Sequence, residues 1–277
     1  MRFSVVFEWP VVRRLCYRVR RQRFGVLLFF VAGCTTLTGT PVSTPPSLTQ
    51  IAVWENLAPG FDVRLDRPNG EGASARLLSL RIDPAQYTFR VHYQPGEPLS
   101  AVEWRDAVPG AVAFINVNFF DPQHIAQGLL VQDGIVQGMA YQRRGGIFAV
   151  QDGVPRVRST QREPYLGEVL EQAVQAFPML VLDGAQSYTN TRGDRRTRRT
   201  AIAQDADGRI VMMATTFGGT LLSELSRFLA TSDMNLVNAF NLDGGGSTMM
   251  YFNADGSDTF LLPSFDRVPA ILAVYKK

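Results

Sequence analysis

A chain of 277 residues with 45% hydrophobic and 10% aromatic residues has an ordinary globular composition and room for one large domain or two small ones. The sequence pI near 9.0 invites a nucleic-acid reading, but the charge is unevenly placed. Of 28 basic and 25 acidic residues, seven arginines between Arg2 and Arg23 and the single acid Glu8 precede the first long apolar run, leaving 21 basic against 24 acidic and a net charge of −3. The basic pI therefore belongs to the N-terminal segment, and no nucleic-acid partner is expected.

That segment has the anatomy of a secretory signal. Its Arg-rich n-region leads into the apolar run "FGVLLFFVA", Phe24 to Ala32, too short to span a bilayer comfortably. Ala32 and Gly33 before Cys34 resemble a bacterial lipobox, so residues 1–33 read as a signal peptide and Cys34 as the lipidated N-terminus of the mature chain. The other cysteine, Cys16, lies in the removed segment, and no disulfide is expected despite an oxidising compartment. Residues 34–50 are Thr/Ser/Pro-rich and read as a flexible linker, which puts the folded domain at 51–277. The expected location is the bacterial cell envelope, lipid-anchored on its periplasmic or extracellular face.

Along the domain, "ARLLSLRID" (75–83) and "YTFRVHY" (87–93) alternate as half-buried strands, the second with Tyr87, Phe89, Val91 and Tyr93 on one face. "GAVAFINVNFF" (110–120) reads as a buried strand ending in a polar corner. Asp133-Gly134, Asp152-Gly153 and Asp207-Gly208 each read as the turn between two strands. Amphipathic spacing predicts a short helix over 166–176, stopped by Pro178. A second is expected along Leu221, Leu222, Leu225, Phe228 and Leu229, with Thr220 as its N-cap. The expected class is α+β: a strand-rich mixed-sheet domain with few helices and an active cleft at strand ends.

Three polar corners follow predicted buried strands: Asn116, Asn118 and Asp121 in "INVNFFD"; Arg198 and Arg199 in "RTRRTAIAQD"; and Asn241, Asp243, Gly244, Gly245, Gly246, Ser247 and Thr248 in "NLDGGGST". A run of three glycines is conformationally expensive, and it suggests positive φ, close backbone approach or both. Beside an Asp it offers an anion nest for a phosphate, although neither a Walker lysine nor GxGxxG is present.

Taken in order from about Ala111 to Tyr275, "INVNFFD", "RTAIAQDADGRI", "LLSEL" and "NLDGGGST" resemble the phosphodiester glycosidase family, which includes the mannose 6-phosphate uncovering enzyme and bacterial relatives labelled as exopolysaccharide-biosynthesis proteins. The resemblance implies hydrolysis of the bond between a sugar's anomeric carbon and a phosphodiester, in envelope or exogenous glycans. It implies roles for Asn116, Phe120 and Asp121, for Arg199, for Glu224, for Gly184 and for Asn241, Asp243, Gly244, Gly245, Gly246 and Ser247. Val117, Asn118 and Ala203 depart from the family's small residues at their positions.

The residue chemistry agrees. An arginine fork suits a phosphodiester, with Arg199 preferred and Arg198 in reserve, since neighbouring strand residues face opposite sides. Asp243 is the first catalytic candidate, with Asp121 or Glu224 second, while Asn116, Arg199, Asn241, the glycines and Ser247 are expected to bind substrate. Plainer roles compete: a turn cap for Asp243, a surface pair with Asp194 or Asp205 for Arg199, and an exposed helix position for Glu224. His92 and His124 lack metal-ligand spacing. No cofactor is assigned from the sequence, and a divalent cation on clustered carboxylates stays open. The alternative to an enzyme is a non-catalytic envelope lipoprotein that binds phosphorylated polysaccharide.

Overall fold

The computed structural model describes residues 51–70, 73–216, 218–254, 256 and 259–277. The expected signal peptide, the expected lipobox with Cys34 and the expected linker lie outside the described residues. In chain order the strands are β1 Ile51–Ala58, β2 Phe61–Asp66, β3 Leu77–Ile82, β4 Tyr87–Tyr93, β5 Ala113–Asn116, β6 Leu130–Gln132, β7 Ile135–Gln137, β8 Gly146–Gln151 and β9 Val154–Ser159. They continue as β10 Gln172–Ala176, β11 Met179–Leu182, β12 Ala185–Gln186, β13 Thr200–Asp205, β14 Ile210–Thr215, β15 Leu236–Asn241, β16 Met250–Phe252, β17 Phe260–Leu262 and β18 Ala270–Lys276. The helices are α1 Ala101–Ala107 and α2 Leu222–Thr231.

This is the strand-rich α+β class, with its strands in three antiparallel sheets. The largest runs β1-β2-β3-β14-β13-β15-β11-β12, the second β7-β6-β10-β8-β9 and the third β17-β16-β5-β18-β4. Their inner faces share one core, to which Phe61, Leu80, Ile115, Phe148, Val174, Ile202, Phe240 and Leu272 contribute. Alternation along a strand supplies the other faces. Ile202 points inward while Ala201 and Ala203 meet Leu225 and Leu229 of α2, and Leu272 points inward while Ile271 and Ala273 meet Trp104 of α1. Burial on both faces explains why β13, β14 and β18 read as continuous apolar runs.

The Asp-Gly turns form where the sequence puts them. Asp133 and Gly134 (φ 49° and 81°) join β6 to β7, and Asp152 and Gly153 (52° and 74°) join β8 to β9. Asp207-Gly208 lies in the β13–β14 turn with only Gly208 at positive φ (82°) and its N–H donating to Asp205 O at 3.1 Å. Asp183 with Gly184 (49° and 77°) makes a further hairpin, β11 to β12, that the sequence reading missed as a turn. Gly184 is thus a hairpin residue.

Two helix expectations are corrected. Residues 172–176 form β10, paired with β8 and β6, where a helix was expected over 166–176. The residues that read as a helix's polar face are buried stitches. The Gln172 side chain accepts from Val91 N at 2.9 Å and donates to Asp133, while Gln175 accepts from Leu129 N at 3.0 Å and Tyr141 N at 2.8 Å. Helix α2 begins one residue later than expected, with Leu221 rather than Thr220 at the N-cap position. The Asp194 carboxylate caps it instead, accepting from the Leu222 and Ser223 N–H groups at 3.0 Å each. The sequence reading missed α1, although Ser100 and Glu103 form a capping box at its start.

Candidate active site

The three polar corners meet. The chain leaving β15 runs beside the start of β13, with Leu242 N donating to Thr200 O at 2.9 Å and Gly245 N to Arg198 O at 2.8 Å. The end of β5 grips it from another side: Asp243 N donates to Val117 O at 2.9 Å, and the Asn116 amide donates to Asp243 O at 2.8 Å. Asn116 Oδ1 accepts from the Thr200 hydroxyl at 2.8 Å and Met249 N at 3.1 Å, and the residue is 1% exposed. Its role is to lock the corners together, because its amide is already bonded inside the protein. Asn118 likewise ties Gln127 O and Leu129 O.

Each glycine of the triplet has its own reason. A Cβ on Gly244 would lie 2.8 Å from Arg198 O; Gly245 has φ +63°; a Cβ on Gly246 would overlap the Asp266 carboxylate. The glycines therefore permit close packing within the protein. The anion nest is smaller than the sequence suggests. Gly244 N donates to Asp243 Oδ1 at 2.9 Å and Gly245 N to Arg198 O, which leaves the Gly246 N–H as the one glycine amide without a partner among the described residues.

Asp243 sits at the centre of this loop. Burial pushes its carboxyl up to about 6 and the nearby Asp266 charge adds to the rise, against bonds from the Ser247 hydroxyl and Gly244 N–H. Ser247 is buried, so its contact with Asp243 orients the carboxylate. Asp266 hangs from the same loop, its N–H donating to Gly246 O at 3.0 Å beside that of Phe265 at 2.7 Å. The sequence reading missed Asp266, which carries no glycine-rich signature and lies about twenty residues downstream of Asp243.

The Asn241–Gly246 segment borders two cavities of about 550 Å³ each. Asn241 and Arg199 line one, with Arg143, Arg144, Phe177 and Tyr188. Arg198, Gly245 and Gly246 line the other, with Thr216 and the 82% exposed Phe265. Arg198 and Arg199, the two residues leading into β13, thus diverge, and each lines its own cavity. Arg198 donates to Thr248 O and to Pro263 O, stands 4.8 Å from the Phe265 ring centroid, and keeps a buried Nε with no partner among the described residues. Arg199 pairs with Asp194 at 3.1 Å and donates to Thr220 O and Arg195 O at 3.1 and 2.6 Å. The pairing with Asp194 is real but buried, since the Asp194 side chain is inaccessible to solvent.

Asp121 and Glu224 are not brought to Asp243. Asp121 closes its own turn, accepting from Gln123 N and Ile125 N at 2.9 Å each. Phe120, its neighbour, stacks on His124. Glu224 pairs with Arg196 at 2.6 Å and lines a separate cavity of about 300 Å³. Among the described residues no three His, Cys, Asp or Glu side chains gather closely enough to hold a metal ion. Tyr251 and Phe252 are buried in the core.

A strand-rich fold with a partly buried carboxylate on a glycine loop whose ends border two arginine-lined cavities suits the handling of an anionic substrate. The phosphodiester glycosidase family model matches residues 109–275, and the chain belongs to that family. Among solved structures it is similar to the catalytic domain of zebrafish N-acetylglucosamine-1-phosphodiester alpha-N-acetylglucosaminidase, auto-inhibited by its pro-peptide. That likeness has a TM-score of 0.59 and 16% identity, over 82% of this chain and 87% of that one. A hypothetical protein from Synechocystis gives a TM-score of 0.59 and 15% identity over 81% of this chain, which spans 63% of its length. No curated protein matches the sequence.

Proposed function

We propose that this protein hydrolyses the bond between a sugar's anomeric carbon and a phosphodiester. The observation that carries the reading is the Asp243–Asp266 pair on the glycine loop, with Asp243 raised by burial to about 6. A carboxylate of that basicity suits proton transfer near neutral pH. Asp243 accepts a proton from the attacking water, whose oxygen bonds to the anomeric carbon as the carbon–oxygen bond to phosphorus breaks. The phosphate monoester leaves with the electron pair. Because that leaving group is already good, no strong acid is needed opposite it. Asp266 supplies negative charge beside a developing positive centre. Family membership supports the reaction class, and the exposed Phe265 offers the sugar an apolar face beside Arg198.

The proposed setting is the cell envelope, with Cys34 carrying a lipid anchor and the 34–50 segment acting as tether. The substrates would then be envelope or exogenous glycans.

The test incubates purified protein with a panel of sugar-1-phosphodiesters and follows release of free sugar. Turnover that disappears in Asp243→Asn supports the reading. Saturable binding of the same compounds without turnover would instead make the chain a binding module for phosphorylated polysaccharide.

A further inference from the structure

Both cavities are lined by arginines and by no acid, but Arg196 of the one beside Phe265 pairs with Glu224 and Arg198 is bonded to Thr248 O and Pro263 O, whereas the cavity that contains Arg199 keeps arginines without such partners. Arg143, Arg144 and Arg199 line it, and no acidic residue does. The acid behind Arg199, Asp194, is spent on that arginine and on the start of α2. Asp183, on the β11–β12 turn, pairs with Arg162. Arg143 has no partner among the described residues. Arg144 has none of opposite charge, and its guanidinium lies 3.5 Å from the Phe177 ring centroid, held flat against an aromatic face. Two adjacent guanidinium groups without counter-charge thus face a concave space.

A second feature points to a ligand. Asn241 is 4% exposed and lines this cavity, its amide donates to Phe177 O at 3.0 Å, and its buried Oδ1 has no partner among the described residues. A buried acceptor left open costs roughly 1–3 kcal/mol unless a hydroxyl or water meets it. The site therefore presents cationic forks for an anion, with an unmet polar atom buried in its wall at Asn241. Beyond Asn241 the glycine loop carries Asp243, with the Asp266 charge near it, where further negative charge would be repelled.

We propose that this cavity receives the leaving-group side of the substrate, and that Arg143 and Arg144 select a phosphodiester whose leaving group carries additional negative charge, as in an anionic phosphoglycan. The assignment rests on the hydrolase reading above for its polarity, with sugar toward Phe265 and leaving group toward Arg143. The cationic site itself rests only on the cavity.

The experiment compares two substrates sharing one sugar, with a methyl phosphodiester in one and a leaving group bearing a second phosphate in the other. The variants are Arg143→Ala and the double variant Arg143→Ala/Arg144→Gln, in which glutamine keeps part of the stem over Phe177. The preference for the charged substrate, as a ratio of kcat/KM values, is expected to fall about tenfold or more in the double variant, mainly through KM. Titration of the intact protein with pyrophosphate at low salt adds a readout independent of turnover, and the double variant is expected to lose that binding. Hydrolysis of both substrates with an unchanged ratio overturns the inference and leaves the hydrolase reading standing. Absence of hydrolysis with pyrophosphate binding lost in the variant removes the hydrolase reading and keeps the cavity as an anion site. Absence of both overturns both.

Discussion

Asp266 rests its carboxylate against Gly246, so the second acid of the site is positioned by the last glycine of the triplet. A methyl group on Gly246 would take the space of that carboxylate, and Asp266 is exposed enough to swing away. We expect Gly246→Ala to reduce kcat while leaving thermal stability nearly intact. Gly244→Ala puts its methyl 2.8 Å from Arg198 O, a backbone atom that cannot retreat, and is expected to destabilise by about 1–3 kcal/mol. Measuring kcat and the unfolding midpoint for both variants tests the distinction, and the reverse ordering would refute it.

Asp243 links activity to pH. As the base it must be ionised, so kcat/KM is expected to rise as pH increases through about 6. Its effect on stability has the opposite sense. The folded state holds the proton more tightly than the unfolded chain, so stability is greatest below the ordinary value of 3.8 and declines until about pH 6. The full decline is roughly 2–3 kcal/mol. Asp243→Asn removes that decline. It is expected to match or exceed the wild type in stability at pH 8 while losing about 10²–10⁴ in kcat. An active Asp243→Asn protein would return the carboxylate to a turn-capping role.

Asp194 is the counterpart in the framework. Burial opposes its ionisation, but bonds from the Ser223 and Leu222 N–H groups and the Ser223 hydroxyl, with the Arg199 charge, hold its pKa below the ordinary range. Its stabilisation is therefore present above about pH 4 and lost as pH falls below that. Asp194→Ala uncaps α2 and strands Arg199, and is expected to cost about 3–5 kcal/mol. Denaturant unfolding at pH 7 measures this, and a loss below about 1 kcal/mol would show the pair to be dispensable.

Arg199→Lys keeps the charge but not the fork that reaches both Asp194 and two carbonyls. We expect a higher KM for a phosphodiester, a smaller change in kcat, and a stability loss of about 1–2 kcal/mol. An unchanged KM would confine Arg199 to the framework and leave Arg143 and Arg144 as that cavity's anion-binding groups.

If the proposed lipobox is right, Cys34→Ala is expected to release the protein from membranes while leaving it folded, because Cys34 is the one residue of that segment able to take a thioether-linked lipid. Membrane fractionation of the variant checks this. Attachment equal to the wild type would end the lipoprotein proposal.

Local order fixes what the sequence by itself determined. Asp133-Gly134 and Asp152-Gly153 set hairpins because two consecutive positive φ angles are needed there, and alternation set the inner face of β4, where Tyr87, Phe89 and Val91 are buried. The glycine triplet marked its corner because only glycine tolerates such close approach. What crosses the fold was not legible. Residues 172–176 satisfy an amphipathic helix pattern as well as a buried strand, and only pairing with β6 and β8 chooses between them, since it bonds Gln172 and Gln175 internally. Asp266, Arg143 and Arg144 stand in loops without periodicity, far in sequence from the residues they accompany. Their roles come from where those loops fold back: Asp266 against a glycine with no side chain to exclude it, and the two arginines onto a cavity with no acid to neutralise them.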